Sequence, residues 1–312
     1  MRVLVTGGAG FIGSHLTEAL LAEGAAVRVL DNLSTGNRRN LAGLDVEMIE
    51  GDVADWETVR SAVSGCALVC HQAALVSVPR SLEQPELNHR SNVTGTFNVF
   101  EAARQAGARR VVYASSAAVY GDLPQLPKRE TAPLNPITPY GAAKRTSEVL
   151  AGVYAAAYGL ELVGLRYMNV FGPRQDPSSP YSGFLSIVCR AALENRGITI
   201  YGDGEQTRDF VYVADVVQAN LRAARIPANR LPDEPVFNVG RGEQTSLNRI
   251  LAMLQEIVER PLPVTYSAER PGDIKHSVAD ISRARQILGF EPETTLKEGL
   301  QATLAWFGAD SQ

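Results

Sequence analysis

Val5-Thr6-Gly7-Gly8-Ala9-Gly10-Phe11-Ile12-Gly13-Ser14 decides the fold of this 312-residue chain. The residues leading into it, Arg2–Thr6, are a short apolar run that reads as a strand, and residues 12–23 carry a helical pattern. Glycines at 8, 10 and 13 match G-x-G-x-x-G, and those at 7, 10 and 13 match G-x-x-G-x-x-G. Glycine here serves a sharp turn, close approach of backbone to a pyrophosphate, and tight helix–strand contact. The helix start then turns free N–H groups and a positive dipole toward phosphate. Asp31 lies 18 residues after Gly13, at the end of the next strand. A carboxylate there accepts both ribose hydroxyls of NAD and repels the 2′-phosphate of NADP. Arg38 and Arg39 nearby leave an opening for that phosphate.

Outward from the loop, short apolar runs alternate with amphipathic stretches. Ala26–Leu30, Val46–Glu50, Ala67–His71 and Arg110–Ser115 read as strands, and 55–64, 90–106 and 138–158 as helices. Val3-Leu4-Val5 and Val111-Val112-Tyr113 are apolar without alternation, as in strands covered on both faces. The pattern predicts an α/β, doubly wound parallel sheet with right-handed crossovers. Past Tyr167 the texture changes. Residues 169–183 read as loop, followed by helices at 183–195, 213–225, 246–258, 280–288 and 296–307, with strands at Ile198–Tyr201 and Pro235–Val239. The expected division is a Rossmann domain over 1–168, rejoined by parts of 209–238, and a smaller mixed α/β lobe from 169–208 and 239–312.

A net charge of -4 leaves no footprint for nucleic acid or an anionic membrane. No apolar run approaches the roughly 20 residues of a membrane span. The amino terminus runs straight into glycines and is too short for a signal peptide. Cys66, Cys70 and Cys189 lack C-x-x-C spacing, and an odd count fits a reducing compartment, with cytoplasm as the expectation. Cys70-His71 reads as buried strand rather than half a metal site, and no metal is expected.

Chemistry points to Ser115-Ser116 and to Tyr140-Gly141-Ala142-Ala143-Lys144. Strand carboxyl ends bind ligands in open parallel sheets, which places Ser116 at the cleft. Tyr140 and Lys144 lie four apart, on one helix face. A free phenol, with a pKa near 10, is a poor base at neutral pH. Two cations, the Lys144 ammonium and an oxidised nicotinamide, would favour its phenolate, and Lys144 would also hold the cofactor ribose. Ala117 and Ala118 follow with methyl groups where an elimination would need an added acid and base. His71 reads as a structural hydrogen-bonding residue. Asp52, with Val53 beside it, reads either as an adenine contact or as a turn and helix cap. Arg208 and Arg270 have the guanidinium fork that suits a diphosphate, with Asp273 for ribose hydroxyls and the Asn169 amide for phosphate or sugar oxygens. Each arginine alone reads equally as a surface ion-pair partner.

With these motifs assembled, the chain resembles the extended short-chain dehydrogenase/reductases, and more narrowly bacterial UDP-hexose and UDP-N-acetylhexosamine 4-epimerases. The likeness runs from Val5–Ser14 through Asp31-Asn32-Leu33-Ser34-Thr35-Gly36, His71-Gln72-Ala73-Ala74, Ser115-Ser116 with Tyr120-Gly121-Asp122, and Tyr140–Lys144. It continues through Asn169–Pro177, Tyr201-Gly202-Asp203-Gly204, Arg208-Asp209-Phe210 and Arg270-Pro271-Gly272-Asp273. The resemblance implies NAD held by Gly7, Gly10, Phe11, Ile12, Gly13, Asp31, Asn32, Asp52, Val53, Tyr140 and Lys144. It implies catalysis by Ser116, Tyr140 and Lys144, in which C4 of a UDP-sugar is oxidised and then reduced on its other face. Asn169, Arg208, Arg270 and Asp273 fall where the family holds the UDP moiety. Ser277 falls where a small residue admits an N-acetyl group. A homodimer through the helices near 90–106 and 138–158 is implied as well. Met168 and Ala118 depart from the usual phenylalanine and hydroxyl residue. The competing readings are another sugar-nucleotide enzyme (4,6-dehydratase, UDP-glucuronate 4-epimerase or decarboxylase, 4-keto reductase) and a non-catalytic NAD-sensing scaffold.

Overall fold

Apolar runs that are hydrophobic on both sides need cover on both faces, and the chain provides it by alternating strand and helix. The computed structural model describes residues 1–177, 183–269 and 274–309. The first half comprises β1 (Arg2–Thr6), α1 (Phe11–Ala22), β2 (Ala26–Asp31), β3 (Glu47–Glu50), α2 (Trp56–Val63), β4 (Leu68–His71), α3 (Val78–Glu83), α4 (Pro85–Asn88), α5 (Gly95–Gln105), β5 (Arg110–Ser116), α6 (Pro139–Tyr158) and β6 (Glu161–Tyr167). Then follow β7 (Asn169–Phe171), α7 (Phe184–Glu194), β8 (Ile198–Tyr201), β9 (Thr207–Arg208), β10 (Phe210–Tyr212), α8 (Val213–Arg225), β11 (Val236–Val239), β12 (Thr245–Ser246), α9 (Leu247–Val258), β13 (Val264–Ser267) and α10 (Leu296–Ala309).

Seven strands form one sheet in the order β11-β6-β5-β4-β1-β2-β3, every neighbouring pair parallel. The winding reverses between β1 and β4, which opens a cleft at their carboxyl ends. Period-two alternation sends β1 side chains to opposite faces: Val3 and Val5 join the cluster under α1 and α8, and Leu4 joins the one under α2 and α5. All three are fully buried, each stabilising the fold by about 1.5–3 kcal/mol relative to exposure. A third apolar cluster, built on α7, α9, α10 and β8, is the core of the smaller lobe.

Local signals set the helix that matters most. Thr138 caps α6 by accepting from the Gly141 amide, Pro139 fills its first turn, and Gly159 ends it in a left-handed conformation at φ 68°.

The stretch expected to be loop over 169–183 begins instead with a strand. β7 exists because β10, some 40 residues on, lies parallel to it, a partner that no local pattern announces. The helix expected from residue 90 begins earlier, at Pro85, and passes through a wide π turn over His89–Thr94 before α5. The one expected over 280–288 narrows to a π-type segment at Ala284–Leu288.

Candidate active site

A cavity of about 1130 Å³ runs along the carboxyl ends of the sheet from the glycine loop to the lobe. Its first end is made of backbone. Gly7 turns at φ 69°, and a Cβ there would stand 2.7 Å from the Ala73 amide nitrogen. At Gly13 a Cβ would lie 2.0 Å from the Gly7 carbonyl oxygen, so α1 sits this close to the end of β1 only because residue 13 is glycine. Asp31 accepts from the amides of Ala9 at 2.9 Å and Leu33 at 2.8 Å, which ties the glycine loop to the end of β2. Burial pushes its carboxyl up, opposed by the amides of Leu33, Ala9 and Gly10. Two bonds leave lone pairs on both oxygens for ribose hydroxyls. This glycine cradle, with α1 opening behind it and a caged carboxylate beside it, fits a dinucleotide.

Phe11, Ile12, Asn32, Asp52 and Val53 line the same end. Asp52 makes the turn, accepting from the Ala54 amide at 2.9 Å, and pairs with Arg90 at 3.2 Å. The cap of α2 belongs to Asp55, which accepts from the Thr58 amide. Arg38 is paired with Glu50 at the end of β3, so it is already engaged where a 2′-phosphate would need it.

At the middle of the cavity β5 delivers Ser116, and α6 delivers Tyr140 and Lys144, both buried. Lys144 Nζ donates to the Ala114 carbonyl at 2.8 Å and lies 5.8 Å from the Tyr140 ring centre. Burial pushes the Tyr140 phenol up, with a hydrogen bond from Ser116 opposing it. Burial also pushes the Lys144 ammonium down, to about 8. Burial thus opposes the phenolate that Lys144 and an oxidised nicotinamide together are expected to favour. Desolvation wins over one cation whose own charge it weakens. Ala117 and Ala118 face the same space and offer no proton-transfer group.

The two serines have separate duties. Both line the cavity, but Ser116 Oγ accepts from the Ala118 amide, while Ser115 Oγ is engaged by Glu148, to which it donates at 2.7 Å. His71 is buried between Thr6 Oγ1 at 2.7 Å and Thr96 Oγ1 at 3.1 Å. Burial, then the Lys144 charge, holds it down to about 3, so it stays neutral and structural. Cys70 is buried and pushed up to about 12. Among the described residues no group of three or more His, Cys, Asp or Glu could hold a metal ion. No helix among them is long and apolar enough to cross a membrane.

The far end is made of side chains from distant segments. Asn169, Arg208 and Ser277 all line it. The Ser277 amide donates to the Thr207 carbonyl at 3.1 Å and the Thr207 amide to the Lys275 carbonyl at 2.9 Å, which holds β9 against residues 275–277, while Arg208 Nη1 donates to the Thr207 carbonyl at 2.9 Å. Between Arg208 and β10, the fully buried Asp209 accepts from the amides of Arg241 (2.7 Å), Gly242 (3.0 Å) and Ala279 (3.2 Å). Burial lifts its carboxyl to about 6 despite these amides. Arg270 and Asp273 lie outside the described residues. Met168 lines the cavity but is largely buried, with its side chain packed closely against Gly240. The sequence reading does not single out Lys128 or Arg174, which also line the cavity. Neither carries a local signal: Lys128 is placed by its amide bond to Val278, and Arg174 by its ion pair with Glu18 on α1 at 2.6 Å.

Residues 3–240 match the NAD dependent epimerase/dehydratase family, and the chain belongs to it. Within that family it is an epimerase of the extended short-chain dehydrogenase/reductase type, an isomerase with NAD as its cofactor. A UDP-glucose 4-epimerase of Mycolicibacterium smegmatis is 40% identical over 318 residues, covering 100% of both chains. The crystal structure of UDP-glucose 4-epimerase from Thermotoga maritima, with UDP-glucose, matches with a TM-score of 0.95 at 37% identity, covering 100% of each chain. A UDP-N-acetylglucosamine 4-epimerase from Methanobrevibacter ruminantium, in complex with UDP-N-acetylmuramic acid, matches at 0.94 and 37% identity, covering 99% of this chain and 98% of that one.

Proposed function

We propose that the protein inverts C4 of a UDP-sugar, taking UDP-GlcNAc and UDP-GalNAc and also UDP-glucose and UDP-galactose. The observation that carries this reading is the meeting of Ser116, Tyr140 and Lys144 in one cavity whose next two residues, Ala117 and Ala118, are inert. Gly7, Gly10, Phe11, Ile12, Gly13, Asp31, Asn32, Asp52 and Val53 hold the dinucleotide, with Lys144 at its second ribose. NAD, when bound, supplies the hydride acceptor and donor for C4, and its positive ring adds the charge that Lys144 alone lacks.

Tyr140 Oη takes the proton of the C4 hydroxyl and returns it to the same oxygen once the sugar has presented its other face, a contribution of typically 10²–10⁴-fold for a placed base. Ser116 Oγ holds the C4 oxygen in both orientations. Arg208, Arg270, Asn169 and Asp273 keep the UDP moiety while the sugar turns about its diphosphate link. Without an acid and base at 117 and 118, no proton leaves C5 and no water is eliminated, which disfavours a 4,6-dehydratase. Ser277, on the wall of the cavity, leaves room for an N-acetyl group. The reading includes a homodimer across α5 and α6, supported by Phe97, Val149 and Val153, which project from them 43%, 50% and 55% exposed. It includes a reducing, cytoplasmic setting, supported by three buried free cysteines.

The test incubates purified protein, without added reductant, with each of these four UDP-sugars and with UDP-glucuronate, and reads C4 configuration by proton NMR. Interconversion of the acetylated pair is expected. Inversion of UDP-glucuronate alone, or consumption of external reduced nicotinamide, would overturn the reading.

A further inference from the structure

Tyr140, Lys144 and Glu148 follow one another at four-residue spacing along α6, so all three lie on its buried face. The first two reach the cavity and the third does not. Its carboxylate is instead clasped. Glu148 Oε1 accepts from Ser115 Oγ at 2.7 Å and from Arg166 Nε at 2.8 Å, and Oε2 accepts from Arg166 Nη2 at 2.9 Å. The Glu148 side chain is 2% exposed and that of Arg166 4%. Ser115 directly precedes Ser116 on β5, and Arg166 stands opposite Ser115 in the β5–β6 register. One carboxylate therefore joins the helix carrying Tyr140 to the strand end carrying Ser116. The guanidinium is itself held from its other side: Arg166 Nη1 donates to Tyr120 Oη at 2.8 Å, and Tyr120 Oη donates to Asn238 Oδ1 at 2.7 Å.

We propose that the Glu148–Arg166 pair is the positioning element of the reaction, setting α6 along β5 so that Tyr140 and Lys144 come to rest against Ser116. The inference rests on the reading of Tyr140 as the group that takes the C4 proton. A stabilising role does not account for the arrangement. Buried ion pairs contribute little net stability, and apolar residues of like volume often replace them at no loss. A bidentate fork closed on a fixed carboxylate adds direction instead. The other side-chain hydrogen bonds from α6 to β5 are made by the reacting residues themselves, Lys144 to the Ala114 carbonyl and Tyr140 with Ser116. Apolar packing of Ala151 and Tyr154 holds α6 on the sheet but is not directional, so without the clasp the polar registry of α6 on β5 would fall to the reacting residues.

The test uses the NAD-loaded protein and whichever UDP-sugar it turns over. In Glu148→Met/Arg166→Met the charges leave together, so neither remains buried alone. The expected result is a melting temperature and NAD content close to native, an unchanged KM, and a kcat lower by about 100-fold, the scale of a misplacement of about 1 Å. Ser115→Ala removes only the serine's bond to Glu148 and is expected to lower kcat several-fold at unchanged KM and melting temperature. A folded double variant with kcat within twofold of native overturns the proposal. Should the double variant not fold, Ser115→Ala decides by the same criterion. Tyr140→Phe in parallel separates the two claims: an active Tyr140→Phe sinks the reading of Tyr140, whereas an inactive one beside fully active clasp variants sinks only the clasp.

Discussion

At the glycine-loop end the cavity is walled by backbone: Gly7 carbonyl beneath Gly13, the amides of Ala9 and Leu33 on Asp31, and the opening turn of α1. At the lobe end it is walled by side chains, with Asn169, Arg208 and Ser277 brought from three separate segments by β7, β9 and the bond from Ser277 to Thr207. Backbone geometry of the first kind needs particular residues in unbroken succession, because one added methyl group collides with main chain that cannot move aside. Walls of the second kind depend on where distant segments come to lie, and many side chains fit them. The contrast teaches which part of this enzyme is rigid in its demands and which part is open to retuning.

The largest effect is expected where the two ends meet. Tyr140→Phe keeps the ring and the cavity but removes the proton carrier, and should lower kcat by about 10²–10⁴-fold with KM little changed. Steady-state kinetics with NAD content monitored would check it. A variant of undiminished rate would remove the reason for joining the ends into one active site. Next comes Gly13→Ala. Its methyl would meet the Gly7 carbonyl, so α1 must move, with a cost in stability of about 1–3 kcal/mol and loss of bound NAD. Thermal melting and the NAD released on denaturation would report it, and a native melting temperature with full NAD content would break the contrast. The smallest structural effect is expected at Ser277→Tyr. It should leave fold and NAD untouched while selectively abolishing turnover of UDP-GlcNAc and UDP-GalNAc. Equal loss for acetylated and non-acetylated sugars would show that this wall is not selective.

Legibility in the sequence followed the same division. The strand-loop-helix at Val5–Ser14, Asp31 at the next strand end, and Tyr140 four residues from Lys144 are contiguous or locally periodic patterns, and Gly7, Gly10, Gly13, Asp31, Tyr140 and Lys144 all line the cavity. The separate duties of Ser115 and Ser116 were not legible. Adjacent strand residues point to opposite faces, and only Glu148 on α6 shows which serine is engaged by the helix. β7 was hidden because a three-residue strand has no period of its own. Depth of burial, which drives the Tyr140 phenol up and the Lys144 ammonium down, was not legible either, because it belongs to the assembled fold.

By itself the sequence determined the layered α/β class, the glycine cradle with its acidic partner, and the helix face bearing tyrosine and lysine. All of these are written in short-range spacing, which the geometry of strand and helix converts directly into position. Tertiary structure alone decided how α6 is registered against β5, which serine Glu148 engages, and what closes the lobe end of the cavity. Those outcomes depend on contacts between segments far apart in the chain, whose pairing is set by the packing of whole layers and not by any local run of residues.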